Sequence, residues 1–248
     1  DANDYSGSGN WLDSSGNNND GTISGATYVD DGNSDYFDFD GSSNYVGISS
    51  TSNSPVDFSQ KNYTISGWIN PDNVNTQQPI LTKFGTSDSL RSIYFNIHSD
   101  GTLRLFQKAT GTDDAVYSSG TISASTWTHV AVVRDSGTVK FYIDGNLDVS
   151  RSTTFTPNSG GSQAINIGSQ ANGNYNFFNG QIAQVRVYNS VLTPQQVQTN
   201  YDATKGLYAY ADLALHLDAA SFPQFGESGY SNTPPTWTDS SGNSYNGT

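Results

Sequence analysis

Oxygen ligands are concentrated in one short stretch near the start of the chain. Asp13-Ser14-Ser15-Gly16-Asn17-Asn18-Asn19-Asp20-Gly21 supplies carboxylates, amides and hydroxyls, with glycines that permit tight turns. Hard oxygen donors on a compact loop are what Ca²⁺ requires, and the candidate metal ligands are Asp13, Asn17 and Asp20, helped by Asp38. The spacing differs from that of an EF-hand, and no terminal bidentate Glu follows. An Asx-turn knot, closed by hydrogen bonds from the loop's own N–H groups to the same side chains, accounts for these residues equally well. Calcium as a cofactor and the knot both stand on the sequence.

Catalytic chemistry is poorly served. Retaining glycoside hydrolysis uses two carboxylates flanking the scissile bond. Of the 23 acidic residues all but Glu227 are Asp, and the one Asp-x-Asp pair, Asp38 and Asp40, lies early in the chain beside a turn. His98, His129 and His216 are isolated from one another, without metal-ligand spacing. Neither a Gly-x-Ser-x-Gly elbow nor a phosphate-cradling loop occurs. No catalytic residue is assigned, and the chain reads as a non-enzyme.

Recognition is better served. Asn174, Tyr175 and Asn176, within Asn174-Tyr175-Asn176-Phe177-Phe178-Asn179, combine an aromatic face with amide hydrogen-bonding groups, the combination that binds a sugar ring. Trp68 and Tyr94 are further aromatic candidates for a glycan platform.

Short strands must position these groups. Alternating or apolar runs occur at 36–39, 45–48, 63–69, 80–84, 93–98, 103–108, 127–134, 139–143, 164–167 and 181–188. Ile93, Phe95 and Ile97 share one face, with Tyr94, Asn96 and His98 opposite. Hairpin signals stand between runs at Ser99-Asp100-Gly101, Asp135-Ser136-Gly137 and Asp144-Gly145-Asn146. One helix is expected, capped by Thr193 with Pro194 at its first position, Gln196 completing a capping box, and Val197 and Tyr201 facing the sheet. The pattern predicts an all-β fold, a two-sheet antiparallel jelly-roll sandwich with one short C-terminal helix.

Composition agrees and narrows the partners. The chain has 248 residues, 15 Tyr, 12 Phe and 4 Trp, and no Cys. Its net charge is −13 with only 10 basic residues, scattered rather than clustered, which disfavours nucleic acid and anionic membrane surfaces. No apolar run is long enough for membrane insertion. The expected location, outside the cell, secreted or on a cell or virion surface, goes with the family resemblance given below and not with the absence of cysteine. Sheet packing, bound ions or polymerisation must supply the stapling that disulfides do not.

An internal repeat bears on organisation. Trp11-Leu12-Asp13-Ser14-Ser15-Gly16-Asn17-Asn18-Asn19-Asp20-Gly21-Thr22 returns as Trp237-Thr238-Asp239-Ser240-Ser241-Gly242-Asn243-Ser244-Tyr245-Asn246-Gly247-Thr248, identical at eight of twelve positions with an offset of 226. Ahead of the second copy stands an alternating strand with Leu213, Leu215 and Leu217 on one face. Residues 1–208 therefore read as a jelly roll lacking its first strand, and 209–248 as the start of the next repeat, a candidate donor strand and linker. An incomplete sandwich exposes backbone groups that template a strand from elsewhere. The expected partners are other copies of the chain, in a linear homopolymer or a covalent tandem array, and environmental or cell-surface glycans.

The runs Trp127-Thr128-His129-Val130-Ala131-Val132-Val133 and Lys140-Phe141-Tyr142-Ile143-Asp144-Gly145 resemble the concanavalin A-like lectin/glucanase superfamily, laminin-G-like domains in particular. Phe39-Asp40-Gly41, Ile65-Ser66-Gly67-Trp68-Ile69 and Gly180-Gln181-Ile182-Ala183-Gln184-Val185-Arg186-Val187-Tyr188-Asn189 extend the resemblance in order along the chain. It implies two curved sheets face to face, calcium in many members, adhesion to glycans or proteins, a structural His129, and an aromatic core plug at Phe177-Phe178.

Overall fold

The computed structural model describes residues 2, 5, 7–30, 34–49, 57–170, 173 and 175–208. Sixteen strands follow in order: β1 Gly21–Ser24, β2 Thr27–Val29, β3 Tyr36–Asp40, β4 Tyr45–Ile48, β5 Asn62–Pro71, β6 Gln78–Phe84, β7 Arg91–Ile97, β8 Thr102–Ala109, β9 Thr112–Thr121, β10 Thr128–Asp135, β11 Thr138–Ile143, β12 Asn146–Ser152, β13 Ile165–Ile167, β14 Ser169–Gln170, β15 Tyr175–Phe177 and β16 Asn179–Tyr188. Helices α1 (Pro194–Asp202) and α2 (Lys205–Tyr208) come after them. Sheet I has the order β1-β4-β13-β6-β7-β8-β9, sheet II the order β12-β11-β10-β5-β16-β3-β2, and β14–β15 form a separate small ribbon. The named strand pairings are antiparallel, as a jelly-roll sandwich requires.

Alternation builds the core between the sheets. Ile93, Phe95 and Ile97 of β7 and Leu103 and Leu105 of β8 point inward from sheet I; Tyr63, Ile65, Ile69, Val130, Val132 and Phe141 point inward from sheet II. Burying each such side chain stabilises the fold by roughly 1.5–3 kcal/mol. Phe178 is fully buried and meets Phe39 edge-on at 6.2 Å, so the expected aromatic plug is there.

Turn chemistry fixes register. The β11–β12 hairpin closes over Asp144 (φ 48°) and Gly145 (φ 76°), a two-residue loop with both residues left-handed. A bulge in β16 between Ile182 and Val185 lies against Gly67 of β5, where a Cβ would sit 2.5 Å from the Gln184 carbonyl oxygen. The bulge therefore requires glycine at 67.

The expected helix is α1. Thr193 Oγ1 accepts from the Gln196 N–H at 3.2 Å, and the Gln196 side chain accepts from the Thr193 N–H at 2.9 Å. Val197 packs on Ala131, Val133 and Tyr142 of the outer face of sheet II. The predicted strand carrying Leu213, Leu215 and Leu217 lies outside the described residues.

Candidate functional site

The loop read for calcium is closed by its own side chains. Asp13 Oδ1 accepts from the Ser15 N–H at 2.9 Å, and Oδ2 accepts from the Asn19 N–H at 2.9 Å and from Asn19 Nδ2 at 3.0 Å. Asp20 Oδ1 accepts from the Asp13 N–H at 2.8 Å. Burial alone would raise the Asp13 pKa, but the hydrogen bonds from Ser15 and Asn19 outweigh it and hold the carboxyl below its ordinary value. Asn17 turns to the Ser15 hydroxyl at 2.8 Å, and Asp38, on β3, accepts from Gln181 Nε2 at 2.9 Å. Asp13 and Asp20 thus come together, while Asn17 and Asp38 make their hydrogen bonds elsewhere. Among the described residues no group of three or more His, Cys, Asp or Glu could hold a metal. Asn19, which the ligand set omitted, closes the knot with two donations to Asp13.

The recognition candidates separate. Trp68 is not a sugar platform: it is fully buried on the outer face of sheet II, its Nε1 donating to Thr204 Oγ1 at 2.8 Å. Tyr201 stacks on it at 5.6 Å and Tyr208 lies at 5.2 Å, so α1 and α2 seal it. Nothing local to β5 showed that the helix expected over the sheet would cover Trp68. His129 sits beneath the same seal, 5.4 Å from Trp68, in the structural role expected of it. Burial, and then the Arg186 charge, bring its pKa down to about 4.

Tyr175 is exposed and lies on β15, the ribbon whose partner β14 contributes the Ser169 carbonyl to the Thr82 hydroxyl at 2.9 Å. Asn176 takes φ 37° and donates from Nδ2 to Gln170 Oε1 at 2.9 Å. Asn174 lies outside the described residues. Beneath this ribbon, cross-strand pairs build the outer face of sheet I: Thr82 opposite Tyr94, Tyr94 opposite Phe106, Asn96 opposite Arg104. Arg104 donates from Nε to Asn96 Oδ1 at 3.0 Å and from Nη2 to Gln77 Oε1 at 2.8 Å. Its guanidinium lies 5.2 Å from the Tyr94 ring and 5.6 Å from Phe106, a cation–π arrangement. The described residues give it no carboxylate partner. Burial pushes the Tyr94 hydroxyl well above its ordinary pKa, with Arg104 and Asn176 pulling the other way, and the hydroxyl makes no well-formed hydrogen bond. Tyr94 and Arg104 are nearly buried, whereas Tyr45, Phe106 and Tyr117 at the rim are half-buried. This face can offer a ligand ring surfaces, amides and the Arg104 guanidinium. Arg104 and Phe106 went unread in the sequence, although they fall opposite the inward Leu103 and Leu105; Asn96 was placed on the face of Tyr94 but not read for binding.

A second concavity opens between the sheets. A cavity of about 680 Å³ is lined by Trp11 and its loop, by Val46, Ile48 and Ile167 from sheet I, and by Val185–Ser190 at the end of β16.

Comparison with known proteins places this architecture. Domain 4 of AbnA, a GH43 extracellular arabinanase from Geobacillus stearothermophilus solved in complex with arabinotriose, is similar at a TM-score of 0.58 and 22% identity, over 76% of this chain and 91% of that one. The binding domain of Paraclostridial Mosquitocidal Protein 1 matches at 0.62 and 19%, over 77% of this chain and 49% of that one. The botulinum neurotoxin serotype G binding domain matches at 0.61 and 16%, over 78% and 48%. This chain thus spans about half the length of the toxin binding domains. At these identities the likeness shows the fold. A laminin-G family model covers residues 31–198, and the chain belongs to the concanavalin A-like lectin/glucanases superfamily.

Proposed function

We propose that this chain is a non-enzymatic structural and adhesive module that works outside the cell, in an extracellular filament, surface adhesin or virion fibre. Its jelly rolls run head-to-tail in a linear string, with the 209–248 segment completing the neighbouring sandwich. The observation that carries this reading is the repeat, now seen with its structural roles. Trp11 is buried in the core and bridges Gly21 through two backbone hydrogen bonds of 2.8 Å, and Asp13 ties the loop between them. Trp237, Asp239 and Gly247 stand at the same spacing, so the chain carries the means to begin a second sandwich. The single Glu and the binding domains among the similar structures support a role without catalysis.

Native mass and negative-stain microscopy test the reading. Strings built from 26.6 kDa units are expected for separate subunits, and a much larger single species for a covalent array. Truncation after Tyr208 should leave the subunit form monomeric. Strings that persist in the truncated protein would show that 209–248 does not join them.

A second reading, a calcium-dependent carbohydrate-binding module within a larger secreted protein, draws on the outer face of sheet I. There Arg104 lies against Tyr94 and Phe106, the β14–β15 ribbon above carries the exposed Tyr175, and a similar arabinanase domain was solved with arabinotriose. A glycan array read with and without chelator decides both parts. Binding lost on chelation supports calcium dependence, binding kept supports a metal-free lectin, and no binding in either condition ends the reading.

A further inference from the structure

Strands β7 and β8 carry three basic residues, Arg91, Arg104 and Lys108, and two of them are paired with carboxylates. Arg91 lies 3.1 Å from Asp88, and Lys108 lies 3.5 Å from Asp88 and from Asp113. Arg104 instead donates from Nε to the Asn96 amide oxygen and from Nη2 to that of Gln77. A guanidinium carries five N–H donors, so three, including both on Nη1, meet no acceptor among the described residues. Only 9% of the residue is exposed. A charge held this far from water is normally paired, because solvent no longer offsets it. Here its neighbours are neutral: two amide oxygens and the rings of Tyr94 and Phe106.

The same neighbours fix the fork. Asn96 is fully buried, and its Nδ2 donates to the Ile97 carbonyl at 2.6 Å, which leaves Oδ1 for Arg104. The Tyr94 hydroxyl, buried without a well-formed hydrogen bond, adds a further donor on this face. Tyr117 stands opposite Arg104 on β9, and both Tyr117 and Phe106 are half-buried rings. Ala115, opposite Phe106, adds little bulk at that edge of the sheet. A planar guanidinium with open N–H groups matches a carboxylate through two parallel hydrogen bonds. Half-exposed rings and amides beside it match the apolar faces and hydroxyls of a sugar.

We propose that this face selects an acidic glycan: the carboxylate of a hexuronic acid unit pairs with Arg104, and Phe106 and Tyr117 lie against the sugar rings. The inference rests on the carbohydrate-binding reading and adds to it the ligand class and the residue that sets it. The net charge of −13 repels a polyanion, and one guanidinium matches one acid. The fitting ligand therefore carries isolated uronates on an otherwise neutral glycan. The pairing is direct and survives a chelator.

A glycan array tests this on the full, unsubstituted chain. It presents uronate-bearing oligosaccharides as free acids and as methyl esters, beside their neutral parents, and is read with and without chelator. Esterification removes the charge and keeps the rings. At least one acid should bind tenfold or more tightly than its own ester, in both conditions. Equal binding of acids and esters would overturn the acid selectivity and leave a neutral-glycan module standing. No binding of any glycan would remove both. An acid preference lost on chelation would assign the carboxylate to a bound metal and overturn the role of Arg104. Arg104→Gln should bring acid and ester to the same level, and Arg104→Lys, which keeps the charge but not the fork, should retain only part of the preference. An acid preference that persists undiminished in a folded Arg104→Gln protein would overturn the assignment to Arg104. N-acetylaspartate that displaces the acid glycan at equal concentration would show a site for any carboxylate and overturn the glycan as its occupant.

Discussion

On the outer face of sheet II, Trp68 lies against Tyr201 and Tyr208, with its indole N–H satisfied by Thr204. On the outer face of sheet I, Tyr94 and Phe106 flank Arg104, and the Tyr94 hydroxyl goes without a well-formed hydrogen bond. Both faces are rich in rings. The first is covered by two helices, with Thr204 between them taking the indole N–H, and the second by a two-stranded ribbon that leaves its rim open. An aromatic residue on a strand is therefore uninformative about binding until its cover is known; buried polar atoms without a hydrogen bond occur on both faces, Ser66 Oγ and His129 Nδ1 on the first and the Tyr94 hydroxyl on the second, so the open rim is what marks the receptive face.

Trp68→Ala should break the sealed face and give the largest effect. Removing a fully buried indole from beneath α1 and α2 is expected to cost about 3–5 kcal/mol, read as a lower urea midpoint. A loss below about 1 kcal/mol would mean that the helices are held by Val197 and its neighbours alone.

The next effect sharpens the same contrast through pH. His129 is neutral in the folded state because burial brings its pKa to about 4. The unfolded chain takes up that proton at about 6.5, so stability contributed by the neutral imidazole is complete above about pH 7 and is lost as pH falls from about 6.5 to 4. At about 1.4 kcal/mol per unit the loss reaches about 3 kcal/mol. Asp144 accepts from the His129 N–H at 3.0 Å and acts in the opposite sense: burial raises its carboxyl against the pull of that bond, so protonation favours the folded state. His129→Gln isolates the imidazole. The slope between pH 6.5 and 4 should flatten in this variant, and an unchanged slope would assign it to the carboxylates.

What the sequence made legible follows from which strands are buried on two sides. The central strands β5, β7, β8 and β10 were readable because their apolar residues alternate or run continuously. The strands β1, β2, β9 and β12 were not, and all four are sheet edges. An edge strand has a neighbour on one side only and is blunted by polar residues, as in Thr112-Asp113-Asp114 of β9 and Asp148-Val149-Ser150-Arg151 of β12. The capping box of α1 was legible because it is local. The Arg104 cluster was not, because Asn96 and Arg104 meet only through strand register. Trp68 and Tyr94 looked alike as candidates because no local pattern records which face a distant helix will cover.

Tyr94→Phe gives the smallest expected effect on stability and tests the receptive face most sharply. The hydroxyl is buried without a well-formed hydrogen bond, so its removal abolishes a desolvation penalty and opens no cavity. Stability should change by less than about 1 kcal/mol, with an increase favoured. The ring remains, and with it the stacking on Arg104 and the contact with Phe84 at 5.8 Å. Any change in glycan binding would then report on the hydroxyl rather than on packing. Binding lost at unchanged stability would place Tyr94 in a site. A stability loss above about 2 kcal/mol would instead show that the hydroxyl is paired in solution.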